Sequence, residues 1–374
     1  MKLIPERYVE EKVENMVILH IANIGDNLYS GVRVVVPQHI NAQSKYADVA
    51  FINICNIDIP EIDNQFDYKA PFSLEKIPVP FCKPDLVIFQ ECYCKEYLGI
   101  SKYLQNKKVP YIIIPHGELG NEAQQKKHFK KVVANLLLFN RFIRGAEAIQ
   151  CLSQREYDAT RFGKRKIIAT NGVMIPKKQK KYNTKKRINF VYIGRLDAYH
   201  KGLDLLIEAI KINQSEIRKH NCFFYIYGPD FDGRAKYLNN LIIQANIEDL
   251  VKQYGPVIGK DKEAILLNSD IFIQTSRFEG MPLGILEALS YGLPCLVTKG
   301  TTLGDEVKEK QAGWCAENNS ESISDSILTA INSKDLYETL GKNAKLLVEY
   351  KYEWDSIAES TINTYRKLLG KEFV

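Results

Sequence analysis

The fold is decided by the stretch INFVYIGRLDAYHKGLDLLIEAIKI, residues 188–212. The nearly continuous apolar run Ile188–Ile193 predicts a buried strand, and the amphipathic run Gly202–Ile212 predicts a helix. A buried strand followed by a helix is the repeating unit of a parallel sheet that helices cover on both faces. Since the same alternation recurs along most of the 374 residues, the sequence predicts an α/β fold.

The alternation of strands and helices forms two blocks. In the first block we predict strands at residues 17–22, 49–54, 85–89, 111–114, 148–152 and 166–170, with helices at 31–42 and 122–142. In the second block we predict strands at 188–193, 223–227, 271–274 and 295–298, with helices at 202–212, 235–245, 283–291 and 354–369. We expect loops at about 55–80 and 91–105, and only helices after residue 298.

A lysine-rich, aperiodic segment, Pro176–Lys186, separates the two blocks and predicts a linker. We therefore predict an α/β protein with two Rossmann-like domains that face a central cleft, at residues 1–175 and 187–350, followed by a C-terminal segment at 351–374. Two domains are also the simplest count for a chain of this length. Because ligands of open parallel sheets bind outside the carboxyl ends of the strands, we expect functional residues directly after strands.

The positive charge of the chain is concentrated in its middle. The net charge is −5 over residues 1–100, +15 over 101–186 and −4 over 187–374, which gives the total of +6. A nucleic-acid-binding protein with a uniformly basic surface would spread this charge, so we expect no nucleic acid partner. The apolar content of 45% and charged content of 26% are those of an ordinary globular protein and exclude a disordered or fibrous chain.

Neither the cysteines nor the N-terminus indicates a secreted or membrane-spanning protein. The eight cysteines include no CxxC pair and do not cluster with the six histidines, so we expect neither disulfides nor a metal site. No apolar run approaches the roughly 18 residues that a membrane span requires. The start of the chain, Met1–Arg7, reaches charged residues before any apolar signal sequence forms, so we expect a cytoplasmic protein.

The segment FEGMPLGILEA, residues 278–288, follows one predicted strand and enters a helix. Its glycines, Gly280 and Gly284, allow backbone amides to approach a ligand, and Pro282 suits the first turn of a helix. A helix N-terminus binds anions, and carboxylates such as Glu279 and Glu287 accept hydrogen bonds from hydroxyls. This combination suits a sugar nucleotide, although two ordinary surface glutamates would explain the carboxylates alone.

Two cations follow the first strand of the second block. Arg195 comes directly after Ile188–Ile193, and Lys201 comes directly before the next helix. Two cations at the carboxyl end of a strand can neutralise a diphosphate leaving group, whereas the alternative is a pair of solvated surface cations. The first interpretation is favoured because the segment at 278–288 reaches the same edge of the predicted sheet.

With these motifs the chain resembles the retaining glycosyltransferases of family 4, the glycosyl transferases group 1, which have the GT-B fold. The resemblance covers nearly the whole length and rests on Glu279 and Glu287 with seven residues between them, on Gly194-Arg195-Leu196, on Lys201-Gly202, on Asn171-Gly172-Val173 and on Trp354. It implies that the helix at Trp354 crosses back to the first domain.

The resemblance also implies roles for the second-domain residues. Arg195 and Lys201 would neutralise the diphosphate of a nucleotide sugar, Glu287 would hold the ribose hydroxyls, and Glu279 would touch the donor sugar. The backbone amides from Gly280 through Met281 and Pro282 to Leu283 would lie nearby, and the anomeric configuration would be retained. No cofactor is expected beyond the donor, which is a substrate, and no metal is needed.

In the first block, His116 follows the strand at 111–114, and the resemblance implies that it lies near the donor sugar. A lone turn histidine is the alternative. Ser30 and Gly31 precede the first helix and resemble the family's glycine-rich loop under the diphosphate, with Ser30 in place of a glycine. We expect His20, at the end of the first strand, to be structural.

The sequence Gly228-Pro229-Asp230-Phe231-Asp232 contains an Asp-x-Asp, which is the metal–diphosphate motif of another glycosyltransferase fold. We interpret it as the turn after the second strand of the second domain, with Gly228 lining the donor site.

The segment Lys126–Leu137 predicts an amphipathic helix with a basic side. That side is either solvated or attached to an anionic membrane, which would make the protein peripheral at the inner face of the plasma membrane.

Three functions fit these observations. The first is transfer of a sugar, from a donor such as a UDP-hexose or UDP-N-acetylhexosamine, to a glycan or lipid-linked acceptor in surface polysaccharide biosynthesis. The second is a sugar-nucleotide 2-epimerase on the same fold, and the third is a non-catalytic basic binding module. The paired glutamates and cations favour the first.

Overall fold

The structure is a computed structural model that describes residues 15–119, 139–182 and 187–370. The predicted basic helix at 126–137, most of the predicted helix at 122–142 and the end of the predicted linker, 183–186, lie outside these residues.

The first domain is built on a parallel sheet of seven strands in the order β3-β2-β1-β4-β5-β6-β7. The strands are β1 (Val17–Ala22), β2 (Asp48–Asn53), β3 (Gln65–Asp67), β4 (Leu86–Gln90), β5 (Tyr111–Ile114), β6 (Ala148–Cys151) and β7 (Lys166–Ile168). The helices are α1 (Gly31–Gln43), α2 (Glu96–Lys107), α3 (Asn140–Gly145) and α4 (Gln154–Ala159), with a 3₁₀ helix at Leu74–Lys76.

The second domain is built on a parallel sheet of six strands in the order β10-β9-β8-β11-β12-β13. The strands are β8 (Ile188–Ile193), β9 (Cys222–Tyr227), β10 (Val251–Tyr254), β11 (Ile271–Gln274), β12 (Cys295–Thr298) and β13 (Gly313–Ala316). The helices are α5 (Leu203–Ile212), α6 (Gln214–Lys219), α7 (Arg234–Gln244), α8 (Gly259–Asn268), α9 (Leu283–Ser290), α10 (Gly304–Glu309), α11 (Ser320–Asn332), α12 (Tyr337–Lys351) and α13 (Trp354–Leu369), with 3₁₀ helices at Lys299–Thr301 and Lys334–Leu336.

Each sheet has an apolar core on both faces, as the near-continuous apolar strands predict. Along β1, Ile18 and Ala22 point into the core beneath α1, whereas Leu19 and Ile21 point into the opposite core. His20 lies between Ile18 and Ala22 on the α1 side because successive side chains alternate between the faces. The predicted α/β class with two parallel sheets is confirmed.

The last helix, α13, packs against α1 of the first domain. Trp354, at its start, donates a hydrogen bond from Nε1 to Gln38 at 2.8 Å, and the Tyr365 hydroxyl donates to Gln150 on β6. Both aromatic side chains are buried. The C-terminal end of the chain thus completes a core of the first domain.

Several parts of the predicted secondary structure were wrong, among them the predicted loop at 55–80, which contains β3. The predicted loop at 91–105 contains α2, whose buried residues Tyr97, Ile100 and Leu104 recur at helical spacing. The expectation of helices alone after residue 298 missed β13 at Gly313–Ala316, an edge strand that is largely half-buried and has only four residues. No helix in the described parts of the chain is long and apolar enough to span a membrane.

Candidate functional site

Loops from the two domains meet between the carboxyl ends of the two sheets. The loop after β11 approaches the first domain so closely that a Cβ atom on Gly280 would lie 3.9 Å from the Cα of Gly117. A Cβ on Gly31 would similarly lie 4.0 Å from Leu283 Cδ1. The predicted residues at 30–31, 116 and 279–283 therefore share one cleft.

Lys201 and Glu279, the residue before Gly280, form an ion pair beside these loops. Their side chains are only 14% and 11% exposed. The same carboxylate oxygen accepts hydrogen bonds from Ser276 Oγ at 2.7 Å and Gln274 Nε2 at 3.2 Å. Burial alone raises the pKa of Glu279, but Lys201, His200 and Ser276 outweigh burial and hold it below its usual range. Glu279 is therefore an anion at neutral pH.

Gly202 fixes the backbone that carries Lys201. Its φ of +63° lies in the left-handed region that favours glycine. A Cβ at this position would lie 1.9 Å from the carbonyl oxygen of Thr275, so the loop packs directly against the end of β11. Glycine is therefore sterically required after Lys201, because a Cβ at position 202 would clash with Thr275.

Arg195 is exposed at the end of β8. Its guanidinium lies 3.5 Å from Nδ1 of His200, and His200 Nε2 lies 2.9 Å from the carbonyl oxygen of Phe278. Burial is the main cause that lowers the pKa of His200, so its ring is neutral and can donate to that carbonyl while accepting from Arg195. His200 therefore connects Arg195 to the Glu279 loop.

Glu287 lies on α9 and pairs with Lys262 of α8. The two side chains are 29% and 25% exposed, so solvent reaches the pair. The helix itself starts at Leu283, and Pro282 is its N-cap residue, one position earlier than the predicted first-turn position. Its carbonyl accepts from the amides of Ile285 and Leu286.

His116 follows β5 in a left-handed backbone conformation, with φ of +47°. Non-glycine residues adopt this conformation at some cost, and such residues cluster at functional sites. Its Nε2 lies 2.7 Å from Oε1 of Gln90 at the end of β4. Burial lowers the pKa of His116 to about 4, so the ring is neutral at neutral pH.

The other predicted residues occupy ordinary loop positions. Ser30 is the N-cap residue of α1 without a side-chain cap hydrogen bond. Gly228 is buried where β9 ends, and a Cβ there would lie 2.0 Å from the carbonyl oxygen of Gly194. Asp230 of the Asp-x-Asp accepts a hydrogen bond from the amide of Ala235 at 3.0 Å, as expected of a turn that leads into α7. Contacts of Ser30 and Gly228 with a donor stay predictions.

Sequence reasoning missed several polar partners of these residues. Gln90 and Ser276 sit at or just after the ends of buried strands, which is the signal that marked Arg195 and His116. Lys262 carried no such signal, because it approaches Glu287 from a different helix. Among the described residues no group of three or more His, Cys, Asp or Glu side chains could hold a metal ion.

Comparison with known sequences finds the family Glycosyl transferases group 1 at residues 174–347. An uncharacterised glycosyltransferase of Methanocaldococcus jannaschii is 31% identical over 178 residues, 47% of this chain and 44% of that protein. A second from the same organism is 23% identical over 94% of both chains. The poly(ribitol-phosphate) α-N-acetylglucosaminyltransferase of Staphylococcus aureus is 26% identical over 67% of this chain and 48% of that protein. The chain thus spans less than half the length of the first and third relatives.

Comparison with solved structures finds similar folds over nearly the whole chain. HepE of Anabaena in complex with UDP and glucose has a TM-score of 0.72 at 18% identity and covers 94% of this chain and 100% of its own. A sucrose-phosphate synthase from Thermosynechococcus elongatus has a TM-score of 0.70 at 16% identity, covering 95% of this chain and 100% of its own. At these identities the likeness concerns the fold. Residues 174–347 match the glycosyl transferases group 1, and nearly the whole chain has the GT-B fold of these structural neighbours.

Proposed function

We propose that this protein is a retaining glycosyltransferase that moves a sugar from a UDP-hexose or UDP-N-acetylhexosamine to a glycan or lipid-linked acceptor in surface polysaccharide biosynthesis. The observation that carries the proposal is the buried Lys201–Glu279 pair, which lies next to Gly280, where the second domain approaches Gly117 of the first. A buried ion pair costs desolvation and is weak evidence for a stabilising role, so its position at the cleft favours a functional one.

The charges in the cleft suit a diphosphate leaving group without a metal. Arg195 is exposed and lies beside His200, and Lys201 is held by Gly202 at the same edge of the sheet. Cations fixed before the reaction stabilise charge that develops on the leaving phosphate. Glu279 holds Lys201 and stays ionised, so it can accept a hydrogen bond from a donor-sugar hydroxyl, while Glu287 on α9 is half-exposed and available to ribose hydroxyls.

Two relatives support the acceptor and donor classes. The Staphylococcus aureus relative is named for transfer of N-acetylglucosamine to poly(ribitol-phosphate), and the structural neighbour HepE binds UDP and glucose. Attachment to an anionic membrane stays part of the proposal, since the basic segment at 126–137 lies outside the described residues.

The test is hydrolysis and transfer with a panel of UDP-, GDP- and ADP-sugars, with the anomeric configuration of the product read by NMR. We expect turnover of a UDP-sugar with retention. The Arg195→Ala and Glu279→Ala variants should lose turnover while remaining folded by circular dichroism. Inversion of configuration, an epimerised donor without transfer, or full turnover in both variants would each contradict the proposal.

A further inference from the structure

A line of buried hydrogen bonds runs from His116 through the core of the first domain. His116 Nε2 lies 2.7 Å from Gln90 Oε1, and Gln90 Nε2 lies 2.9 Å from His20 Nδ1. His20 Nε2 lies 2.8 Å from Gln43 Oε1, and Gln43 Nε2 lies 2.8 Å from His39 Nε2. Three imidazole rings therefore alternate with two amides, and we name this set the histidine–glutamine chain.

The histidine–glutamine chain occupies space that apolar side chains would otherwise fill. His20, Gln43 and Gln90 have no exposed surface, and His39 is 5% exposed. Replacing both partners of a buried hydrogen bond with apolar groups of the same shape is nearly neutral for stability, so stability alone does not account for four such residues. A fully connected buried polar network instead specifies one arrangement of its members.

The two amides fix the direction in which hydrogen bonds are donated along the histidine–glutamine chain. Gln90 Oε1 can only accept, so His116 Nε2 must carry a proton, and Gln90 Nε2 can only donate, so His20 Nδ1 must be unprotonated. His20 then donates from Nε2 to Gln43, and Gln43 donates to an unprotonated Nε2 of His39. All three rings are neutral in this arrangement. Burial, which lowers the pKa values of His20 and His116 to about 4, favours the same state.

His39, at the far end of the histidine–glutamine chain, lies where the polypeptide crosses between the domains. The ring of His39 stacks on Trp354, with centroids 5.5 Å apart and planes at 18°. A Cβ on Gly172 would lie 2.6 Å from the Trp354 ring, and the amide of Val173 donates to the carbonyl of Tyr352 at 2.8 Å. The two crossing segments, around residues 172–173 and 352–354, therefore lie side by side against the last ring of the line.

We propose that Gln90, His20, Gln43 and His39 are positioning residues that hold His116 as a neutral ring protonated on Nε2. No residue in the described part of the chain donates to Nδ1 of His116, so this nitrogen can accept a hydrogen bond from a sugar hydroxyl in the cleft. Through Trp354 the same line ties the orientation of His116 to the interdomain crossing. The inference rests on the proposed function only in assigning a sugar to the cleft.

The first test is ¹⁵N NMR of the imidazoles in the whole protein without substrate, which stays informative even if the proposed function fails. We expect His116 and His20 each to show one tautomer, protonated on Nε2, and His39 to be protonated on Nδ1. Mixed tautomers, or a proton on Nδ1 of His116, would overturn the proposal in the wild-type protein, so the result does not depend on any variant folding.

The second test separates positioning from general stability with three variants. Gln90→Glu keeps an acceptor for His116 but cannot donate to His20, so His116 should keep its tautomer while His20 moves its proton to Nδ1. Gln90→Leu should leave His116 with mixed tautomers and lower kcat about tenfold or more, as small misplacements in active sites do. Gln150→Leu is the matched control, because Gln150 is buried and bonded to Tyr365 but has no imidazole partner among the described residues.

The kinetic result expected for Gln90→Leu is a fall in kcat with the donor KM changed little, and partial recovery in Gln90→Glu. The control Gln150→Leu should lower thermal stability without altering the His116 signal or kcat. If Gln150→Leu and Gln90→Leu changed the His116 tautomer and kcat equally, the positioning role would be disproved.

Discussion

At the scale of single residues, we expect the largest losses of stability from substitutions at Lys201 and Glu279. Each side chain neutralises the charge of the other in a nearly dry environment. Lys201→Met leaves the Glu279 carboxylate buried and unpaired, which costs about 3–5 kcal/mol in the free energy of unfolding. It also removes a cation from the proposed diphosphate site, for which we expect a loss of about 10²–10³ in kcat. Urea denaturation and a donor hydrolysis assay measure the two effects separately.

The matched control for this prediction is the exposed Lys299–Glu317 pair, whose side chains are 53% and 55% exposed. Exposed ion pairs contribute little to stability because solvent screens them, so Lys299→Met should leave both measurements nearly unchanged. Equal losses in stability for Lys299→Met and Lys201→Met would contradict the burial argument.

His20 makes stability depend on pH in a defined direction. Burial lowers the pKa of His20 from 6.5 to about 4, so between these values the unfolded chain binds a proton that the folded chain does not. The free energy of unfolding is therefore highest above pH 6.5 and falls as the pH drops toward 4, by about 3 kcal/mol for this residue. Urea denaturation at pH 7 and pH 4.5 should show a smaller difference in His20→Gln than in the wild type.

The comparison for this pH effect is Gln150→Leu, a substitution of another buried residue of the first domain that removes no titratable group. It should leave the difference between pH 7 and pH 4.5 as it is in the wild type. A wild-type protein that is equally stable at both values, or a His20→Gln variant with an unchanged difference, would show that His20 is not held neutral by the core.

At the scale of elements, the loop from β8 to α5 depends on Gly202 for two reasons, its positive φ and its close contact with Thr275. A comparison with Gly233 separates the two effects. Gly202 and Gly233 both have positive φ, +63° and +73°, so alanine at either position costs about 1–2 kcal/mol in backbone strain. At Gly233 nothing lies within 4 Å of an added Cβ, whereas at Gly202 the Thr275 carbonyl oxygen would lie at 1.9 Å. Gly202→Ala must therefore move the loop.

We expect Gly202→Ala to raise the donor KM and lower kcat because the moved loop carries Lys201, and to destabilise the protein by more than Gly233→Ala does. Gly233→Ala should change only stability. Kinetics with a UDP-sugar and thermal unfolding of both variants check this. Indistinguishable variants would mean that the contact with Thr275 does not fix the loop.

The secondary-structure elements also show how much of the fold could be predicted from the sequence alone. Strands such as β5 and β8 were predicted with their observed ends, because a run of apolar residues between turns has few alternatives. The edge strands β3, β10 and β13 were missed, since they have three or four residues and are partly exposed. Their strand character comes from pairing with a neighbour rather than from their own residues.

The same limit applies to the site. The positions of Arg195 and His116 at the carboxyl ends of strands could be predicted, because the fold class places the residues that follow strands there, whereas their roles stay predictions. The contact of Gln90 with His20 could not, because the two residues are 70 positions apart and meet only because β1 pairs with β4. His20 was predicted to be structural from its place in β1, and its link to His116 required the strand order.

At the scale of the whole molecule, the protein's two tryptophans lie in different domains. Trp354 is buried against the first-domain core although it follows the second domain in sequence, and Trp314 lies on β13 and packs against Tyr337. Trp314→Phe leaves Trp354 as the sole reporter, and Trp354→Phe leaves Trp314. The fluorescence of each variant therefore reports mainly the unfolding of one domain.

We expect UDP to distinguish the two reporters. A ligand present at 100 times its Kd stabilises the domain that binds it by about 2.7 kcal/mol. Because the proposed nucleotide contacts, Arg195, Lys201 and Glu287, all belong to the second domain, the Trp314 transition in urea should move to higher concentration, whereas the Trp354 transition should move less. If UDP moved both transitions equally, the packing of α13 and the contact between Arg155 and the Gly300 carbonyl would make the two domains one cooperative unit. That outcome would contradict the prediction of separable domains but not the nucleotide site, whereas no shift of the Trp314 transition would contradict the site itself.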